Sequence, residues 1–216
     1  MSTFQQSNPT NSRLARACAL IGATAILPLC SAFANDSDHA KVNMSFAEFS
    51  QGKSDQLQWR VVDDGVMGGL SKGRVSSLDS GVIRFEGTLS LENNGGFSSI
   101  RTARMKPRDW SKMEGLVMRV KGDGRTYQLR LESDARYRGS WPVSFKSDFA
   151  TKKGEWIEVQ VPFSSFKGGW RGRDLSNKKL NPAKIERVGL ILADKNPGSF
   201  KLEVDWIRAF AGSDNK

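Results

Sequence analysis

Beyond position 58 the chain alternates apolar and polar side chains with a period of two. Ile83, Phe85, Gly87, Leu89 and Leu91 alternate with Arg84, Glu86, Thr88 and Ser90, the pattern of a strand with one face buried and the other in water. Leu116, Met118 and Val120 repeat it, as do Tyr127, Leu129 and Leu131, then Ile157, Val159 and Val161 up to Pro162. Val188, Leu190 and Leu192 follow, and Phe200, Leu202, Val204 and Trp206 run against Lys201, Glu203 and Asp205. Gln58 to Val62 reads as a further short strand. Clusters of Gly, Asn, Asp and Ser separate these runs at 63–69, 93–96, 122–124, 168–172 and 196–199, where tight turns favour residues that accept positive φ. Short helical turns are expected around Phe46–Phe49 and Phe163–Phe166, and no amphipathic helix exceeds two turns. About ten strands with turns roughly every 8 to 15 residues predict an all-β fold, an antiparallel β-sandwich or jelly roll.

The first 34 residues break this pattern. Arg13 and Arg16 precede an apolar run from Ala17 to Leu29, and no acid occurs before Asp36. Ala32-Phe33-Ala34 then offers small residues where a signal peptidase reads them. This is the layout of a secretory signal cleaved after Ala34, and it predicts a periplasmic or secreted protein. The 13-residue run falls short of the about 20 residues that a membrane helix needs, so the cleaved protein is expected not to span a membrane. The organisation expected is a signal over 1–34, a flexible lead-in over 35–44, one domain over 45–211 and a polar tail over 212–216.

Cys18 and Cys30 both fall inside the signal, so the domain has no cysteine and must be held by its core. The only histidine, His39, lies in the lead-in. Zinc sites built on Cys and His are thereby excluded from the domain, as are nucleophilic triads with a histidine base. No Walker loop or dinucleotide fingerprint is present. No catalytic residue, metal ligand or cofactor is expected. The net charge of +10 falls to +8 without Arg13 and Arg16, and the charges are interleaved with no block of five alike. That distribution describes a solvated surface and not a nucleic-acid stripe.

Two carboxylates about 5 to 10 Å apart could run glycoside hydrolysis, which keeps an acid-pair glycosidase as an alternative. Glu86, Glu132, Glu158, Glu203 and Asp205 mostly occupy outward strand positions, however, and adjacent Asp63 and Asp64 should diverge. No carboxylate spacing resembles a calcium loop. A second cluster is basic and aromatic: Arg130, Arg136, Tyr137, Arg138 and Trp141 near one strand end, and Trp170-Arg171-Gly172-Arg173 in a later loop. Guanidinium forks beside aromatic rings hold carboxylates, phosphates or sugars. The competing account has Trp170 capping the core and the arginines paired with acids. The candidate binding residues are Trp170, Arg171, Arg173, Asp194, Arg130 and Trp141, and a shared exposed surface for Trp170, Arg171 and Asp194 would favour ligand binding.

Four ordered blocks resemble one family. The run from Trp59 through Asp63-Asp64-Gly65-Val66-Met67-Gly68-Gly69-Leu70-Ser71 is similar to the opening signature of the complex I intermediate-associated protein 30 (CIA30) family. Phe85-Glu86-Gly87 with Leu89 to Phe97 and Ser99-Ile100-Arg101 is similar to its second block. Pro162-Phe163, Phe166 and Trp170 to Arg173 match a later block, and Gly189 to Lys195 with Gly198 to Ile207 its ending. The resemblance covers about residues 45 to 210 and implies a galactose-binding-like β-sandwich with a non-catalytic, chaperone-like role in assembling NADH:ubiquinone oxidoreductase (complex I). It also implies that the loops carrying Asp64, Gly65, Met67, Gly68 and Gly69, and Asn94, Gly95 and Gly96, serve turn geometry. The expected partner is an envelope protein, with membrane subunits of a respiratory complex as candidates. Many carbohydrate-binding modules share the fold, so a glycan is the alternative ligand.

Overall fold

The computed structural model describes residues 44–48 and 58–212. The expected signal, the lead-in up to position 43 and the tail from 213 onward lie outside the described residues. In chain order the strands are β1 (Met44–Glu48), β2 (Trp59–Asp63), β3 (Lys72–Ser77), β4 (Ile83–Leu89) and β5 (Ser98–Thr102). Next come β6 (Gly115–Lys121), β7 (Thr126–Glu132), β8 (Arg136–Tyr137), β9 (Trp141–Pro142) and β10 (Ser144–Ala150). The last are β11 (Trp156–Pro162), β12 (Lys167–Trp170), β13 (Arg173–Asp174), β14 (Arg187–Leu192) and β15 (Gly198–Phe210).

One sheet runs β11-β6-β15-β4-β3, with β1 also paired to β15; the other runs β13-β12-β10-β7-β14-β5-β2. A small hairpin, β8-β9, stands apart. Every strand ladder is antiparallel. The alternating residues of the two sheets share one core. Phe85, Leu116, Met118, Leu202 and Ile207 come from the first sheet, and Ile100, Leu129, Leu131, Phe145 and Leu190 from the second; none is accessible to solvent. Burying these side chains supplies the main driving force for a domain without disulfides. The architecture is the all-β sandwich expected.

The strand count exceeds the expected ten because several strands lack a clean apolar alternation. In β5, Ser98, Ser99 and Thr102 are buried beside Ile100. Ser98 donates its hydroxyl to Asp63 (2.6 Å) and Ser99 to the carbonyl of Val62 (2.7 Å), which removes the penalty of burying them. The helical turn expected around Phe46–Phe49 is instead strand β1 as far as Glu48, and Met44 already belongs to it. Pairing with β15, from Met44 opposite Ala209 to Glu48 opposite Trp206, overrides the local preference. The turn at Phe163–Ser165 does form. In β15 the register against β6 slips between Val204 and Trp206. Asp205 is the extra residue of this bulge, so the inward set changes from Phe200, Leu202 and Val204 to Ile207 and Ala209.

Candidate functional site

The two signature loops meet on one carboxylate. Asp64 opens a 3-10 turn (Asp64–Met67) and is fully buried. Ser71 donates its backbone N–H (3.0 Å) and its hydroxyl (2.6 Å) to Asp64. From the second loop, the N–H groups of Gly96 (2.7 Å) and Phe97 (3.2 Å) donate to the same carboxylate. Burial alone would raise the Asp64 pKa, but the hydrogen bonds from Ser71, Gly96 and Phe97 together hold it below the usual carboxylate range. Asp63 diverges, as expected, and accepts from the Gly73 N–H (2.9 Å) and Ser98.

The motif residues named for turn geometry do two different things. Gly68 (φ 90) and Gly96 (φ 127) occupy the region that favours glycine, and Asn94 (φ 58) sits where asparagine is among the best tolerated side chains. Gly69 and Gly95 are small for a steric reason: a Cβ would stand 2.4 Å from the Asp64 carboxyl at the first and 2.7 Å at the second. Gly65 has nothing within 4 Å of that position.

The same loops present apolar side chains to solvent. Val66 is 80% exposed, Met67 62%, Leu70 47% and Leu91 42%. They are four of the five large hydrophobic residues exposed among the described residues, the fifth being Trp141. Leu70 and Leu91 flank a direct contact, since the N–H of Ser90 donates to the Ser71 hydroxyl oxygen (3.0 Å). A shallow hollow lined by Thr88, Leu91, Glu92 and Pro197 lies alongside. Sequence reasoning missed this tip. Leu91 continues the alternation of β4 and so reads as buried, whereas the strand ends at Leu89.

The basic and aromatic residues are only partly brought together. Trp170 packs between Tyr137 (ring centroids 5.2 Å) and Trp141 (5.7 Å), and Arg171 lies over both tryptophans at 5.3 and 5.7 Å. Trp170 is half-buried against the core while Trp141 is 49% exposed. The turn that holds Arg171 is a two-residue hairpin loop between paired Trp170 and Arg173. Arg171 (φ 45) and Gly172 (φ 80) both take positive φ, as such a loop requires. Arg173 is exposed in β13.

Asp194 does not join this cluster. It follows β14 at the end where Leu192 pairs with Ser98, whereas Trp170 lies toward the end where Arg187 pairs with Glu132. There Arg125 grips it at 2.9 and 2.6 Å and also donates to the carbonyls of Ser199 (3.1 Å) and Asn196. Burial would raise the Asp194 pKa, but the Arg125 hydrogen bonds and charge and the Asn196 N–H hold it low. The shared surface expected for Trp170, Arg171 and Asp194 is therefore absent, and Asp194 ties loops together.

Arg130 is separate again, on the outer face of the seven-stranded sheet. It pairs with Glu132 at 2.8 Å, and Arg187 pairs with the same carboxylate at 3.2 Å. The outward carboxylates are less solvated than their strand positions predict: Glu132, Glu203 and Asp205 are all buried. Glu203 is held by Arg84 (2.7 Å) and Lys121 (3.3 Å), and Asp205 by Arg119. Burial would raise the Glu203 pKa, but those partners keep it low, the reverse of what a glycosidase's general acid needs. Among the described residues no three His, Cys, Asp or Glu side chains gather to hold a metal ion, and no helix is long and apolar enough to cross a membrane.

Known proteins match this arrangement at two levels. Structurally the chain is similar to the family 11 carbohydrate-binding module of a Clostridium thermocellum cellulosomal cellulase. That match has a TM-score of 0.59 and 18% identity, over 80% of this chain and 96% of the module. A second structure of a family 11 module from the same organism, in complex with a β-1,3-1,4-mixed-linked tetrasaccharide, matches at TM-score 0.57 and 17% identity, over 79% of this chain and 97% of that one. At such identities the likeness establishes the sandwich fold alone. In sequence the chain is 30% identical over 192 residues to complex I intermediate-associated protein 30, mitochondrial, of Mus musculus, covering 80% of this chain and 57% of that protein. A probable mitochondrial counterpart from Caenorhabditis briggsae is 27% identical over 193 residues, covering 81% and 57% respectively. The chain thus spans little more than half the length of these relatives.

Their mitochondrial designation overturns the expectation of a periplasmic or secreted protein. The physical reason is that an acid-free stretch with Arg13, Arg16 and several serines also has the composition of a mitochondrial transit segment. The family model for complex I intermediate-associated protein 30 matches residues 47–204, which takes in the Asp64 hub, both loops joined on it and every strand from β2 to β14. The chain belongs to the CIA30 family.

Proposed function

We propose that this protein is a non-catalytic, protein-binding module of the assembly-factor kind, which takes hold of an apolar strip on its partner with Val66, Met67, Leu70 and Leu91. The observation that carries this reading is the exposure of those four side chains on loops locked together by Asp64. Contiguous exposed apolar surface is kept in water chiefly where it serves an interaction. Rigid loops lower the ordering cost of binding. Relatives named for association with complex I intermediates support subunits or intermediates of respiratory complex I as the partner. A photo-crosslinking residue at Met67, compared with one at exposed Lys179, tests this in the protein's own cell. Recovery of complex I components from position 67 above position 179 is expected, and equal or no recovery overturns the reading.

A second reading is glycan binding at Trp141, Trp170 and Arg171. Its support is one exposed tryptophan packed at a tilt against a second, with a guanidinium over both rings, on a fold shared with carbohydrate-binding modules. Calorimetric titration with a mixed-linked β-1,3-1,4 tetrasaccharide should then give heat that Trp141→Ala abolishes. Absence of heat in the unaltered protein sinks this second reading.

A further inference from the structure

The outer face of the seven-stranded sheet carries a transverse row of cations. Register places Lys167 opposite Lys146, Lys146 opposite Arg130, Arg130 opposite Gly189, Gly189 opposite Arg101, and Arg101 opposite Arg60. Their sequence neighbours Phe145, Leu131, Val188 and Ile100 point into the core, so the row faces out. Six strands thus carry Lys, Lys, Arg, Gly, Arg and Arg side by side. At about 4.8 Å between strands the row extends for about 24 Å. Arg187 adds a sixth cation beside Arg130, opposite Glu132.

The acids on this face do not neutralise it. Glu132 is shared by Arg130 and Arg187, Asp148 accepts from the Gln128 side chain at 2.7 Å, and Asp174, opposite Gly169 at the sheet edge, accepts from Ser176. Arg60, Arg101, Lys146 and Lys167 form no side-chain ion pair or hydrogen bond among the described residues. The Nε atoms of Arg130 and Arg187 are buried and unpartnered. Burial, followed by the charge of Arg130, lowers the pKa of Lys146 against the pull of Asp148, and burial lowers that of Arg130, where Arg101 and Arg187 oppose the attraction of Glu132. Like charges held this close destabilise the folded chain unless an anion joins them.

We propose that this row is a docking surface for an extended, acidic polypeptide segment of the partner protein, laid across the strands. The proposal rests on the protein-binding reading above and adds a second contact to it. Carboxylates match guanidinium forks in two-point geometry. About seven extended residues, at about 3.3 Å each, span the row. No aromatic side chain occupies an outward position on its six strands: Trp59, Tyr127, Phe145, Phe149 and Trp170 all lie on the core side. Sugars and single-stranded nucleic acid, which stack on aromatic platforms, are thereby disfavoured.

The test is fluorescence anisotropy with the full chain and three labelled probes: a ten-residue peptide alternating Glu and Ser, its Gln counterpart, and oligo-dT. The Glu peptide should bind, weaken steeply with salt and raise the melting temperature, while the Gln peptide should not bind. Arg101→Gln should weaken the Glu peptide by roughly tenfold. Lys146→Gln with Lys167→Gln provides an independent test should Arg101→Gln unfold. Lys201→Gln on the other sheet makes the same charge change and should leave binding intact. Equal loss in Lys201→Gln, tighter binding of oligo-dT, or no binding of the Glu peptide overturns the proposal. Because the probe needs only the purified chain, such a failure leaves crosslinking at Met67 unaffected, and a failure at Met67 leaves the peptide result standing.

Discussion

Ser71 and Asp64, seven positions apart, are joined twice: the Ser71 hydroxyl and its backbone N–H both donate to the Asp64 carboxylate, at 2.6 and 3.0 Å. The same hydroxyl oxygen accepts the Ser90 N–H at 3.0 Å. This pair closes the first signature loop on itself and then couples it to the second, which fixes the base from which Val66, Met67, Leu70 and Leu91 project.

Removing the hub should cost much of the domain's stability. Asp64→Ala strands the N–H groups of Ser71, Gly96 and Phe97 in a buried site, and a loss of about 2 to 4 kcal/mol is expected. Asp64→Asn should also destabilise, because its amide NH2 must face at least one of these donors. Urea denaturation measures both. A loss below about 0.5 kcal/mol for Asp64→Ala contradicts the role assigned to it.

Two glycines of one motif should respond differently to the same change. Gly69→Ala drives a methyl into the Asp64 carboxyl and should cost about 1 to 3 kcal/mol. Gly65→Ala meets nothing within 4 Å and should be tolerated. Comparable melting temperatures for the two variants would refute the steric explanation.

Acid should unfold the protein through its low-pKa carboxylates. Asp64, Asp194 and Glu203 are all held below their ordinary values, so between the folded and unfolded pKa the unfolded chain binds more protons and stability rises with pH. Their contribution should be complete above about pH 5 and lost as pH falls through each native pKa. Denaturation midpoints at pH 7, 5 and 3 check this, and Asp194→Asn should flatten the decline below pH 5.

The two tryptophans of the aromatic cluster should separate structure from surface. Trp170→Ala removes a ring packed against the core and should cost about 2 to 4 kcal/mol. Trp141→Ala, at the exposed end of the cluster, should stay within about 1 kcal/mol of the unaltered protein. Equal losses would mean that Trp141 is also scaffold.

Much of the sandwich was legible. The runs around Phe85, Met118, Leu129, Val159, Leu190 and Leu202 show the period of a half-buried strand, and each lies in a strand of the structure. Strand β5 was not legible, because Ser98, Ser99 and Thr102 are buried through partners distant in sequence. Strand β1 was hidden because pairing with β15, more than 150 positions away, decides its conformation. Of the candidate binding residues, Trp141, Trp170 and Arg171 share a surface, while Arg130 and Asp194 are held elsewhere by Glu132 and Arg125. Charge counting showed basic residues spread evenly along the chain, yet strand register collects Arg60, Arg101, Arg130, Lys146 and Lys167 into one row.

The sequence by itself determined the all-β class, the inward positions of the main strands, the absence of cysteine and histidine chemistry from the domain, and the family. Each of these follows from local period, residue identity or an ordered motif. Tertiary structure alone decided that Asp64 joins two loops, that Leu91 is exposed while Leu89 is buried, and that scattered cations form a line. Those outcomes depend on which strands become neighbours and in what register, and pairings between positions as far apart as Met44 and Ala209 are fixed only when the two sheets close on a common core.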